Sequence, residues 1–183
     1  MRFDSLFGLI LLSSCSAGPA IVKSEFSPGE DLTRFRSFDF YKFDASGDTT
    51  ATFPITARAM QDAIAAELTN KGYVQDSDNP DLLVNIGLVV RQKAQTRQTN
   101  FRDDAPRYMG QRNYSWKSEE VVVGYYKEGT VTVDLVNRST NSRIWEGIAT
   151  DVVGGNSRNR QKQIQEAARL LLEKIPSKNG SGQ

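Results

Sequence analysis

The cleanest alternation of apolar and polar positions lies at Thr130-Val131-Thr132-Val133-Asp134-Leu135-Val136, with Val131, Val133 and Leu135 on one side and Thr132, Asp134 and Val136 on the other. A period of two predicts a strand with one buried face. Phe35 to Phe43 alternates less strictly but is rich in aromatics, and also reads as a strand. Leu82 to Val90 is almost continuously apolar, which predicts a strand in the middle of a sheet. Glu120 to Tyr125 and Arg143 to Val152 complete the strong strand signals. Turns are expected at Lys127-Glu128-Gly129 and between Asn137 and Ser142, giving three consecutive antiparallel strands. Ile21 to Phe26 is short and sits before the Pro28-Gly29 turn, as an edge strand would.

Two segments switch to helical spacing. Pro54 stands where a helix can open without losing a hydrogen bond, and Ile55, Ala59, Met60, Ala63, Ile64 and Leu68 follow at three- and four-residue steps. Gly72 is placed to end that helix in the left-handed conformation. The second helix is expected from about Arg158 to Lys174, with Ile164, Ala167, Ala168, Leu171 and Ile175 as its apolar stripe and Pro176 beyond its end. Two amphipathic helices need a sheet face to cover. The predicted fold class is therefore α+β: a two-layer sandwich, with a mainly antiparallel sheet of about five or six strands and both helices on one face.

Between about 92 and 118 the periodic pattern disappears, which predicts an unusually long loop. Its composition is distinctive. Arg91, Lys93, Arg97, Arg102, Arg107, Arg112 and Lys117 face only Asp103 and Asp104, and Phe101, Tyr108, Tyr114 and Trp116 are interleaved. Arginines among aromatics suit an anionic or sugar-rich surface, or an interface hot spot. Trp145, on an alternating strand, is expected in the core instead.

The amino terminus carries a different signal. Leu6 to Leu12 is an unbroken apolar run behind Arg2, too short to span a bilayer but long enough for an export leader. Leu12-Ser13-Ser14-Cys15 follows it and resembles a bacterial lipobox, which implies acylation of Cys15 and removal of residues 1–14. Cys15 is the single cysteine, and acylation accounts for an unpaired thiol in an exported chain. The leader is short, so the true start is expected a few residues upstream. Ser16, rather than aspartate, follows Cys15; by resemblance to Gram-negative sorting rules this implies the outer membrane. The expected organisation is a leader at 1–14, an acylated tether at 15–20, one domain at 21–176 and a frayed tail at 177–183.

Composition narrows the chemistry. The 183 residues include no histidine, and 23 basic against 22 acidic side chains leave a formal charge of +1. The commonest general base and zinc ligand are thus missing, and no chain-wide field attracts nucleic acid. Asp76 to Asp81 superficially resembles a calcium loop but lacks its glycine and closing glutamate. Gly154-Gly155-Asn156-Ser157 precedes a helix without a Walker lysine. Arg158, Arg160 and Lys162 are oddly placed, since positive charge at a helix start opposes the macrodipole. Carboxylate chemistry would need two acidic residues on separate elements facing one cleft.

Several stretches together resemble the DUF4136 family, domains of unknown function on bacterial envelope lipoproteins. They are the aromatic-rich stretch from Val22 to Phe43, Leu68-Thr69-Asn70-Lys71-Gly72-Tyr73 followed by Pro80-Asp81-Leu82-Leu83-Val84, Gly129 to Val136 leading to Ile144-Trp145-Glu146-Gly147, and Lys174-Ile175-Pro176. The resemblance implies a fold and a compartment, and brings no catalytic motif. The expectation is a membrane-anchored envelope lipoprotein facing the periplasm, with a binding, accessory or scaffold role and no catalysis or cofactor. Its partners would be the membrane through Cys15, and an envelope protein, anionic lipid or glycan through the 92–118 loop, with no nucleic acid. The alternatives are a domain that binds a small molecule or lipid between sheet and helices, and a carboxylate-dependent hydrolase.

Overall fold

The computed structural model describes residues 19–47, 53–104, 117–153 and 157–178. Six strands form one sheet: β1 (Ala20–Phe26), β2 (Ser37–Gly47), β3 (Val74–Gln75), β4 (Leu82–Gln98), β5 (Glu120–Asn137) and β6 (Ser142–Val153). Their order across the sheet is β1-β6-β5-β4-β2-β3. The helices are α1 (Phe53–Asn70), the single turn α2 (Phe101–Asp104) and α3 (Ser157–Leu171). The α+β sandwich is as expected. β1, β6, β5 and β4 pair antiparallel, whereas β2 runs parallel to β4 because α1 carries the chain back between them.

The inner sheet face and the two long helices enclose the core. Val84 and Ile86 of β4, Val133 and Leu135 of β5, and Trp145 and Ala149 of β6 are buried against Met60, Ile64 and Leu68 of α1 and Ala168 and Leu171 of α3. Each large aliphatic side chain so buried stabilises the fold by about 1.5–3 kcal/mol. Trp145 is fully buried beside Gly147, where a side chain would overlap the indole and lie 2.8 Å from Leu171 Cδ1. Ile55, counted on the apolar stripe of α1, is exposed instead.

Gly72 ends α1 with φ +90°; its N–H donates to Thr69 O and that of Tyr73 donates to Leu68 O. These two bonds satisfy carbonyls that the helix leaves open. Tyr73 is then buried, which pushes its phenol up to about 12, and its hydroxyl donates to Pro176 O at 3.3 Å. The expected frayed tail needs correction at its first residues. Lys178 N donates to Lys71 O at 2.7 Å, and Lys178 Nζ donates to Thr33 O at 2.7 Å. The last helix also stops at Leu171, earlier than expected; a turn follows that buries Leu172 and Ile175.

Asp81 locks β4 to β2. Its Oδ2 accepts from Arg36 N at 2.7 Å and Ser37 N at 3.1 Å, while its own N–H donates to Ser37 Oγ. These amides hold the Asp81 carboxyl below the ordinary carboxylate range. A depressed folded value means stability present at neutral pH and lost as pH falls through it. Asp81→Ala is expected to lower stability by about 1 kcal/mol at pH 7. The deficit should shrink below pH 4, as urea unfolding at pH 7 and pH 3 would show; a constant deficit would refute the carboxylate's part.

Two expectations are corrected by the long pair β4 and β5. The loop predicted from 92 does not begin there, since β4 continues through Gln98. No turn forms at Lys127-Glu128-Gly129, and β5 is one strand of 18 residues. The two corrections share one cause. Gln92 opposes Lys127, Arg91 opposes Glu128 and Val90 opposes Gly129, so each segment supplies the hydrogen-bonding partner that the other's sequence does not announce.

Candidate functional site

Among the described residues, the inner face of the sheet is not filled along its whole length. Where β2 gives out and the first turns of α1 and α3 stand over β5 and β6, a cavity of about 290 Å³ opens between the layers. Its deep wall is apolar: Met60 and Ile64 of α1, Leu88 of β4, Val131 of β5, Ala149 of β6, and Ala168 and Leu171 of α3. The rim is mixed. Lys127 of β5 and Arg160 of α3 bring two positive charges, Asp151 one negative charge, and Gln163 and Thr150 neutral polar groups. Phe53 closes one side, its ring 5.6 Å from that of Phe43.

The sequence pointed to neither cation as a site residue. Lys127 was assigned to a turn, but in a continuous strand it shares the helix-facing side with Gly129 and Val131. Arg160 did leave a signal, as positive charge at a helix start. It lies on the lining of the cavity.

The basic residues of the predicted loop are divided by the fold. Arg91, Lys93 and Arg97 stand at alternate positions of β4, on the sheet face away from the helices and from the cavity. Lys93 Nζ pairs with Glu128 Oε1 at 2.6 Å. Arg97 forks onto both oxygens of Asp104, at 2.6 and 2.5 Å, and holds that carboxyl down at about 2. Arg102 lies in α2, and Lys117 in the coil before β5. Arg107, Tyr108, Arg112, Tyr114 and Trp116 lie outside the described residues, as do Cys15 and Gly154 to Asn156. Of the described members, Arg91, Lys93 and Arg97 are thus strand residues, the last two already engaged with acidic partners, and these three do not form one patch with the cavity.

Two carboxylates do face each other across strands. Asp134 of β5 opposes Glu146 of β6 on the open sheet face, with Asn85 of β4 opposite Asp134. Arg143 Nη1 lies 2.6 Å from Glu146 Oε1 and 3.7 Å from Asp134 Oδ1, and Lys23 Nζ pairs with Glu146. Burial pushes the Asp134 carboxyl up, against the pull of Arg143. This is an ion-pair cluster on an open sheet rather than two acids across a cleft. Asp76, from the calcium-like segment, accepts backbone N–H groups of Asp78 and Asn79, and Asp81 is committed to β2. Among the described residues no group of three or more acidic, cysteine or histidine side chains is placed to hold a metal, and no helix is long and apolar enough to cross a membrane.

No curated protein matches the chain. Among solved structures, a DUF4136 family protein from Bacteroides thetaiotaomicron superposes with a TM-score of 0.50 at 14% identity, over 86% of this chain and 96% of that one. A PDZ domain protein from Parabacteroides distasonis superposes at 0.53 with 15% identity, over 87% of this chain. This chain spans 36% of the length of that protein. A minor lipoprotein from Acinetobacter baumannii is more distant, at a TM-score of 0.34 and 13% identity, over 78% of this chain and 93% of that one. At such identities the first two likenesses speak to fold alone. The sequence profile described as "Domain of unknown function (DUF4136)" matches residues 22–177, and the chain belongs to that family.

Proposed function

We propose that this protein is an acyl-anchored lipoprotein of the bacterial envelope whose domain binds, without catalysis, a single-chain amphiphile with an anionic head. The cavity carries the proposal. At about 290 Å³ it lies near the lower end of ligand pockets, about 300–1,000 Å³, which suits one chain rather than a two-chain lipid. Its depth is apolar, and Lys127 and Arg160 outnumber Asp151 at the rim. An acyl chain would gain about 0.8 kcal/mol for each methylene removed from water. Anchoring through Cys15, with the domain held at the periplasmic side of the outer membrane, would keep it beside a source of such molecules.

Dodecanoate is the probe we would use, with the full chain carrying Cys15→Ser to avoid detergent. Titration calorimetry is expected to show saturable binding, and dodecyltrimethylammonium, with the same chain and opposite charge, should bind about tenfold more weakly, or about 1.4 kcal/mol. Ala167→Phe, on the α3 wall of the cavity, should abolish binding while the protein stays folded. Undiminished binding by that variant would place the ligand elsewhere, and no binding by the unfilled chain would end the proposal.

A further inference from the structure

Pro19 lines the cavity, one residue before Ala20, which pairs with Thr150 near the end of β6. Cys15 comes four residues earlier. A fully extended chain advances at most about 3.6 Å per residue, so Cys15 lies within about 14 Å of the cavity's open end. Exposed apolar side chains gather at that same end. β6 runs out there with Val152 and Val153, and α1 begins there with Ile55, all three exposed. β2 leaves the sheet at Gly47, opposite Val90, and β6 leaves it at Val153, opposite Lys127. Past these points residues 91–98 and 120–126 pair only with each other among the described residues. They form a two-stranded arm that extends about 26 Å beyond the cavity, at about 3.3 Å per residue. The faces of the arm differ. Tyr125 opposes Ala94 and Val122 opposes Thr96 on the side that continues the cavity wall, whereas Arg91, Lys93 and Arg97 take the other side. Val122 and Tyr125 are 53% and 67% exposed. Single exposed apolar residues are ordinary, but a set collected at one end marks a contact surface.

We propose that this end of the domain lies against the phospholipid bilayer. The side of the arm bearing Val122 and Tyr125 sits among the headgroups, and the cavity opens toward the membrane, so its amphiphile enters from the bilayer rather than from solution. This rests on the anchor and cavity of the proposed function and adds the surface that meets the membrane. The tether selects the occupant: an anchor at Cys15 holds the cavity's open end within about 14 Å of the bilayer, and nothing ties a protein partner there. Tyrosine is at home at the headgroup level, where its ring meets apolar chains and its hydroxyl meets water. A deeper seat is excluded, because the open edges of the arm carry N–H and C=O groups that need water.

Cys15 is the single cysteine, and acylation consumes its thiol, so a cysteine introduced elsewhere is the one a maleimide reaches. Full-chain Tyr125→Cys and Val122→Cys would be purified from membranes, checked for the acyl group by intact mass and for folding by circular dichroism, and labelled with a maleimide fluorophore. In vesicles of phosphatidylethanolamine and phosphatidylglycerol, lipids brominated high on the acyl chain should quench both labels several-fold. A label at Ser139→Cys, exposed in the turn at the opposite end of the sheet, should keep its intensity. The proposal is overturned if both arm labels escape quenching, as they would beneath a second copy or a soluble partner, or if the Ser139 label is quenched as strongly. A missing acyl mass would instead remove the anchor and overturn both readings together. Failure of dodecanoate to bind would end the cavity's role, and quenching would still decide which surface meets the bilayer.

Discussion

Trp145→Ala is expected to remove about 3–5 kcal/mol of stability, the largest effect of any single core substitution in this domain. Trp145 is completely buried and stands where β1, β6 and β5 meet, opposite Phe26 on one side and Leu135 on the other. The ring occupies space that Gly147 leaves free, under Leu171 of α3. Truncation therefore opens a cavity bounded by three strands and a helix, which can collapse only by moving whole elements. The indole N–H finds no acceptor among the described residues. Trp145→Phe sheds that unsatisfied donor and keeps most of the volume, so it should lose well under half as much. Urea unfolding decides the matter: the midpoint should fall in both variants, with the slope unchanged. A loss below about 1 kcal/mol for the alanine variant would contradict the packing described here.

The second large effect concerns location. The native protein recovered from membranes should have an intact mass that starts at Cys15 and carries a diacylglyceryl group, with or without a third acyl chain. Cys15→Ser should then move from the membrane to the soluble fraction. Two acyl chains hold a protein stably on a bilayer, at about 0.8 kcal/mol per buried methylene, and no helix among the described residues could replace them. An unmodified full-length mass, or membrane retention of the serine variant after a high-salt wash, would remove the anchor from the proposed function.

Salt sorts the remaining contacts. Binding through Lys127 and Arg160 at the rim of an apolar cavity should weaken only modestly with ionic strength, because the chain's burial is unaffected by screening. Binding through exposed Arg91, Lys93 and Arg97 would weaken steeply. Lys93 and Arg97 already have acidic partners in Glu128 and Asp104, which leaves the described part of that stretch a weaker anion site than its composition suggests.

Several elements could be read from local order alone. The period of two at Val131, Val133 and Leu135 placed those residues inward, and the three- and four-residue steps from Met60 to Leu68 placed α1 on the sheet. Gly72 marked its own helix end, because a left-handed residue has few other candidates. The continuous apolar run of β4 announced a central strand, since it touches β2 and β5 on either side. Such signals are legible because burial on one face imposes a period within a few neighbouring residues.

What depended on distant partners was not legible. Gln92 to Gln98 is polar and β5 contains Lys127-Glu128-Gly129; each segment is a strand only because the other lies beside it in the ladder. Lys127 became a rim residue by that pairing, and Arg160 by the landing of α3 beside it. The cavity is a gap between layers, and no residue type encodes a gap. The sequence by itself determined the types of the strongly patterned elements, most of the helix-facing stripe and the family resemblance, because these follow from nearest-neighbour chemistry. Only the tertiary structure decided that Lys127 and Arg160 line the cavity and that Arg97 and Lys93 pair with Asp104 and Glu128. Those outcomes are set by contacts between residues far apart in the chain, whose register is fixed only when the sheet closes.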